Sequence, residues 1–161
     1  MGLGQMFMAL QDNVTSLQNY VRASEIARQF TKDHPCAKYQ RRVSVEIAVI
    51  CSRLGRLGEA LEMCEEAMKQ AIAHGDRLVQ ARCLLNFADI HRDRHNYQRA
   101  YPRYQSAYAI AVETGDRKCQ LDVLSGMALC AFGAQDLEQA VEINEKVLTL
   151  SKELESKVQV Y

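Results

Sequence analysis

The sequence predicts an all-α fold, an α-solenoid of stacked helical hairpins with a 40-residue period and about seven helices. Three observations predict it. Matched against itself at a shift of 40 residues, the chain superposes His74-Gly75-Asp76-Arg77 on Thr114-Gly115-Asp116-Arg117. The same shift aligns Gln40, Gln80 and Gln120; Ala48, Ala88 and Ala128; Leu57, Tyr97 and Leu137; and Ala60, Ala100 and Ala140. A fixed period of this length marks a repeat array. Within one period the apolar residues recur at intervals of three and four, in Val45, Ala48 and Val49 and then in Leu57, Ala60, Leu61, Cys64, Ala67, Met68 and Ala71. That spacing lines one face of each of two helices. Two prolines and eight glycines in 161 residues, with no tryptophan, disfavour a sandwich or a barrel.

In chain order, residues 1–34 are expected to be a partial repeat, with 3–10 the tail of its first helix and 12–33 its second, ended by His34-Pro35. Residues 35–74, 75–114 and 115–155 form three complete repeats, and 156–161 begin a truncated one, so the chain reads as a piece of a longer array. The alanines at the shared stations let two antiparallel helix backbones approach closely. Gly75 and Gly115 suit the left-handed residue that ends a helix, and Asp76 and Asp116 suit the cap of the next. Pro102 lacks the N–H that would bond to Gln98, which predicts a kink or a late start in the helix beginning near Asn96.

Composition excludes several function classes. Twenty basic and twenty acidic residues balance, which gives no general attraction to nucleic acid or anionic membranes. The apolar opening, residues 1–10, lacks a basic flank and is shorter than the ~20 residues a membrane span needs. Met6 stands where a myristoylation motif wants Ser or Thr, so no lipid and no membrane insertion are expected. Six cysteines without a Cys-x-x-Cys pair fit buried reduced thiols in a cytoplasmic protein. His91 and His95 have a spacing that suits one metal ion, but Arg92 and Arg94 repel a cation. LGRLG sits at a hairpin turn and not after a strand, so it is no phosphate loop. No catalytic residue, metal or cofactor is expected.

Helical hairpins with a small residue in the first helix, Ala opening the second and another small residue two turns later resemble tetratricopeptide repeats. The family's tryptophan, tyrosine and closing proline are absent; Leu84 and Leu124 hold the first station and Cys51, His91 and Ala131 the second. The strings LGRLG, CEEAMK, HGDR, FADIHR and PRYQSA, within residues 54–107, are similar to the later repeats of rapsyn-type receptor-associated scaffolds. That resemblance implies a non-enzymatic scaffold that binds and clusters acetylcholine-receptor-type receptors and links them to the cytoskeleton at the cytoplasmic face of the postsynaptic membrane. The alternative is a generic Pins-like adaptor for a peptide of a signalling or polarity protein. The family's RING domain, with its zinc and ligase activity, is not carried over to this chain.

A hairpin solenoid offers a concave face lined by its first helices. The register predicts a partner-binding groove of Arg42, Glu46, Arg53, Arg82, Asn86, Asp89, Arg92 and Asp93, flanked by Val45, Val49, Leu85, Asp122, Ser125 and Leu129. A carboxylate clamp of the chaperone-binding kind is rejected, because Val45, Val49, Leu85 and Asp89 stand where it needs Lys and Asn. Arg77, Arg82, Arg92, Arg94, Arg99 and Arg103 form a locally basic stretch suited to an acidic partner segment, such as a receptor cytoplasmic loop. Tyr97, Tyr101, Tyr104 and Tyr108 read as packing between hairpins, and Met1, Met6 and Met8 as an apolar end that favours homo-oligomers.

Overall fold

A computed structural model of the chain describes residues 12–22, 25 and 36–158. Residues 12–22 are helical (α1). Then follow α2 (Cys36–Arg53), α3 (Leu57–Ala73), α4 (Arg77–Asp93), α5 (Tyr97–Glu113), α6 (Arg117–Gly133) and α7 (Leu137–Val158). Among the described residues there is no strand. The expected helix at 3–10, the His34-Pro35 stop, Cys36's side chain and the three early methionines lie outside what is described.

Five of these helices end the same way. Each closes with a residue at positive φ, Gly55, Gly75, His95, Gly115 or Gln135. In each, the next amide bonds back to a carbonyl five residues earlier: Arg56 to Cys51, Asp76 to Ala71, Asn96 to His91, Asp116 to Ala111 and Asp136 to Ala131. This Schellman closure satisfies carbonyls the helix leaves open. Asp76, Asp116 and Asp136 then accept from the backbone N–H of Val79, Cys119 and Gln139 at 3.3, 2.8 and 3.1 Å. One side chain thus ends a turn and starts a helix. Sequence reasoning finds Gly75, Gly115, Asp76 and Asp116, and misses the Asp136 cap and the positive φ of His95 and Gln135, which share the station of Gly55 without being glycine.

Two compact units, residues 1–79 and 80–161, divide the chain. In the first, α2 packs on α3, and Val45, Ala48 and Cys51 of α2 and Ala60, Cys64 and Ala67 of α3 are buried. Ala48 and Ala60 are fully inaccessible, as their stations require for close backbone approach. Arg41 and Asp76, both nearly buried, form an ion pair at 3.6 Å.

In the second unit α6 packs on both α5 and α7 and is buried on most of its surface. Two glycines explain the closeness of α5. A Cβ on Gly126 would fall 2.5 Å from Tyr104 Cε1, and one on Gly133 would fall 2.5 Å from the Tyr97 hydroxyl. The tyrosines therefore pack against the neighbouring hairpin, with Tyr104 wholly enclosed. Gln120, buried in α6, donates to the Ala111 carbonyl at 3.0 Å and so ties α6 to the end of α5.

Two expectations are corrected, the late start at Pro102 and the turn at 155–156. α5 begins at Tyr97 and its helix continues through Pro102. The carbonyl that Pro102 leaves without an N–H belongs to exposed Gln98, where water can satisfy it. α7 passes through 155–156 and ends at Val158, so the expected turn is absent there. Glu155 stands where Gly75 and Gly115 stop the earlier helices. The tyrosine stations of α5 recur on α7 as Leu137, Val141, Asn144 and Leu148. There the three apolar side chains are 59%, 60% and 55% exposed.

Candidate functional site

The residues expected to line a groove divide by their surroundings. On α2, Arg42 and Glu46 are half-buried and Arg53 is exposed, whereas Val45 belongs to the core. On α4, Arg82, Leu85, Asp89 and Arg92 are half-buried and Asp93 is exposed. Asn86 is 2% exposed and offers no open surface. Its station is occupied in α6 by Gly126, which faces Tyr104, so this position serves helix packing in unit two. Asp122 and Leu129 on α6 are exposed.

Three of the expected residues come together around one that was read only as packing. The Tyr104 hydroxyl donates to Asp89 Oδ1 at 2.6 Å. Arg92 Nη1 donates to the same oxygen at 2.7 Å and to the Tyr104 hydroxyl at 3.0 Å. Arg92 also grips Asp93 Oδ1 through Nε and Nη2, at 3.1 and 2.8 Å. Burial, then the adjacent Asp89 carboxylate, pushes the Tyr104 phenol well above its usual range, so it is a proton donor at any working pH. Burial alone would lower Arg92, but Asp89, Tyr104 and Asp93 outweigh it and hold the guanidinium charged. Arg92 is therefore committed to internal partners, and Asp93 presents the open carboxylate of the cluster.

The rest of the basic stretch lies at the turn between α4 and α5. His91 lies in the last turn of α4 and Arg94 just after it, and Arg99 and Arg103 follow one turn apart on α5. Burial first, then the guanidinium groups of Arg103, Arg99 and Arg94, lowers the proton affinity of His91. His95 Nδ1 bonds to the Tyr97 hydroxyl at 2.9 Å. Among the described residues no three His, Cys, Asp or Glu side chains cluster to hold a metal.

Cys51, Cys64, Cys83, Cys119 and Cys130 are buried thiols outside any disulfide. Burial, reinforced by Asp116, pushes Cys119 up to about 11, and burial also raises Cys51 and Cys130. Such thiols are poor nucleophiles. A solvent-open cleft of about 410 Å³ lies between α5, α6 and α7, where Glu142 pairs with Lys146 and Glu153 with Arg117. No described helix is long and apolar enough to cross a membrane.

Repeated hairpins closed by aspartate caps, with small residues at the crossing stations and polar side chains held at intermediate exposure, define an α-helical repeat protein of the interaction class. The tetratricopeptide repeat family matches residues 39–111 and 80–153, and the chain belongs to it. The 43 kDa receptor-associated protein of the synapse from Tetronarce californica is 34% identical over 156 residues, 97% of this chain. The protein of the same name from Gallus gallus is 41% identical over 105 residues, 65% of this chain. The chain spans 38% and 25% of the lengths of these relatives. Tetratricopeptide repeats and relatives of this kind mark a protein-interaction scaffold.

Proposed function

We propose that the chain is a non-enzymatic, rapsyn-like scaffold segment that binds a cytoplasmic segment of a postsynaptic receptor and helps cluster it. The observation that carries this reading is the 34% identity, along 97% of the chain, to a protein named for receptor association at the synapse. The proposed repeat boundaries are 35–74 and 75–114, with a third repeat from 115 that continues through α7, and the proposed binding residues are Arg42, Glu46, Arg53, Arg82, Asp89 and Asp93. Asn86 and Arg92 drop from direct contact, because one is enclosed and the other is spent on Asp89, Asp93 and Tyr104. The alternative, an adaptor of the Pins-like kind, differs in partner and not in physics.

Self-association is proposed through Leu137, Val141 and Leu148, an exposed apolar stripe of which Leu137 shares the station of Tyr97, packed on α5 against Gly133 of α6. A second copy of the chain is the proposed occupant. Val141→Glu with Leu148→Glu is expected to leave only monomer by light scattering; an unchanged mass distribution removes this face as the interface.

The binding experiment titrates the chain with tiled peptides from cytoplasmic loops of pentameric neurotransmitter receptors. A saturable hit weakened about tenfold by Arg53→Glu or Arg82→Glu, with an unchanged melting curve, supports the scaffold reading. Absence of any hit from a folded sample removes the receptor-loop assignment.

A further inference from the structure

We propose that the turn end of the α4–α5 hairpin, where His91, Arg94, Arg99 and Arg103 gather, binds a phosphate monoester carried on a partner protein segment. Arg94, Arg99 and Arg103 belong to the basic stretch suited to an acidic segment, but none of the four is among the residues of the proposed receptor site, so the inference is tested separately from it.

The local geometry is fixed by the turn. Asn96 N–H bonds to the His91 carbonyl at 2.9 Å and Arg94 N–H to that of Ile90 at 3.3 Å, which places His91 and Arg94 on one tight corner. Arg103 Nη1 donates to the Arg99 carbonyl at 2.9 Å, folding its guanidinium back toward the start of α5. Arg94 and Arg99 are exposed, and His91 and Arg103 are half-buried. Among the described residues, neighbouring carboxylates neutralise Arg92 but none pairs with Arg94, Arg99 or Arg103.

The repeat itself does not ask for this charge. At the same four stations the flanking repeats carry Cys51, Leu54, Glu59 and Met63, and Ala131, Ala134, Gln139 and Ile143. Pro102 replaces the glutamates of Glu62 and Glu142, and α5 has no carboxylate before Glu113. Its first turn holds no acidic residue, and Asn96 makes no side-chain cap bond. The changes at these stations move in one electrostatic direction, and the acidic change nearby, Asp93 in place of Arg53 and Gly133, is gripped by Arg92. Planar guanidinium forks match the several acceptor oxygens of a phosphoryl dianion better than a single-charged carboxylate does.

The experiment titrates the isotope-labelled chain with a short glycine-rich peptide bearing one central phosphoserine, alongside the unphosphorylated peptide. Phosphatidylcholine vesicles with and without a phosphoinositide form a third arm. The expected result is saturable shifts at residues 91–103, with affinity about tenfold or more above that of the unphosphorylated peptide. Arg94→Ala with Arg99→Ala, both exposed, is expected to remove that advantage without altering the melting curve. The His91 imidazole, faced by Arg94 from the turn and by Arg99 and Arg103 from α5, is expected to gain proton affinity when the dianion binds. Equal affinity for the two peptides overturns the proposal. Binding to phosphoinositide vesicles but not to the phosphopeptide also overturns it, and reassigns the patch to a membrane surface.

Discussion

The α2–α3 and α4–α5 hairpins are built on one register and spend it differently. Both bury alanines at the shared stations, Ala48 and Ala60 in one and Ala88 and Ala100 in the other, all inaccessible. α3 then places Glu59, Glu62, Glu65 and Glu66 along its front, where carboxylates complement the helix dipole, and Arg56 chelates Glu59 at 2.8 and 2.6 Å. α5 inverts that pattern with Arg99, Pro102 and Arg103, and turns a tyrosine inward to meet Asp89 and Arg92. The repeat specifies the backbone, and the side chains at equal stations are free to carry different chemistry.

The largest effect that separates the tyrosine stations is expected at Tyr104. Tyr104→Ala should cost roughly 3–5 kcal/mol, as for other enclosed aromatic truncations, whereas exposed Asn144→Ala at the equal station should stay within about 0.5 kcal/mol. Urea unfolding followed by circular dichroism measures both. Comparable losses would mean that the two stations are equally packed.

Glycines supply the next comparison. Gly126→Ala should destabilise by roughly 1–3 kcal/mol, since the added methyl meets the Tyr104 ring. Gly58→Ala in α3, with open space around it, should stabilise by roughly 0.4–1 kcal/mol. Opposite signs in the two denaturation midpoints are the outcome to look for.

At the hairpin turns, Gln135→Gly should raise stability by up to about 1 kcal/mol, because φ at this residue is 65°. Gly75→Ala at 65° should lower stability by about the same amount. Equal shifts of the same sign would deny that the left-handed corner is what these stations select.

A smaller effect follows from His91, whose folded-state proton affinity is lowered. The unfolded chain then binds more protons as pH falls through the ordinary histidine range near ~6.5, so stability declines from there until the folded-state value is passed. His91→Gln should flatten the dependence of the urea midpoint between pH 7.5 and 5.5.

Much of the fold was legible because spacing is a one-dimensional signal. The 40-residue shift exposes the alanines, the glutamines and the Gly-Asp corners, and each has a local reason to recur. What was hidden depended on pairs far apart in sequence or on an absence of the usual residue. His95 and Gln135 adopt a glycine's conformation, and only alignment with Gly55 points to them. Asn86 was read as open because its station was assigned by helix phase alone. The enclosed glycine at the equivalent position, Gly126, is the signal that this phase faces a neighbouring helix. Arg92 looked like a docking cation in a run of arginines, and the partner that commits it, Tyr104, lies twelve residues on. The continuation of α7 was readable in principle, since Glu155 breaks the Gly-Asp pattern.

The most direct test of the scaffold reading is a residue-resolved titration of the chain with the tightest receptor-loop peptide, repeated with Arg82→Glu and with Arg42→Glu. The expected result is saturable binding with shifts centred on Arg82 and Asp93, and a loss of affinity in Arg82→Glu that exceeds the loss in Arg42→Glu. Binding whose shifts leave α4 untouched, or whose affinity survives both charge reversals, would contradict it.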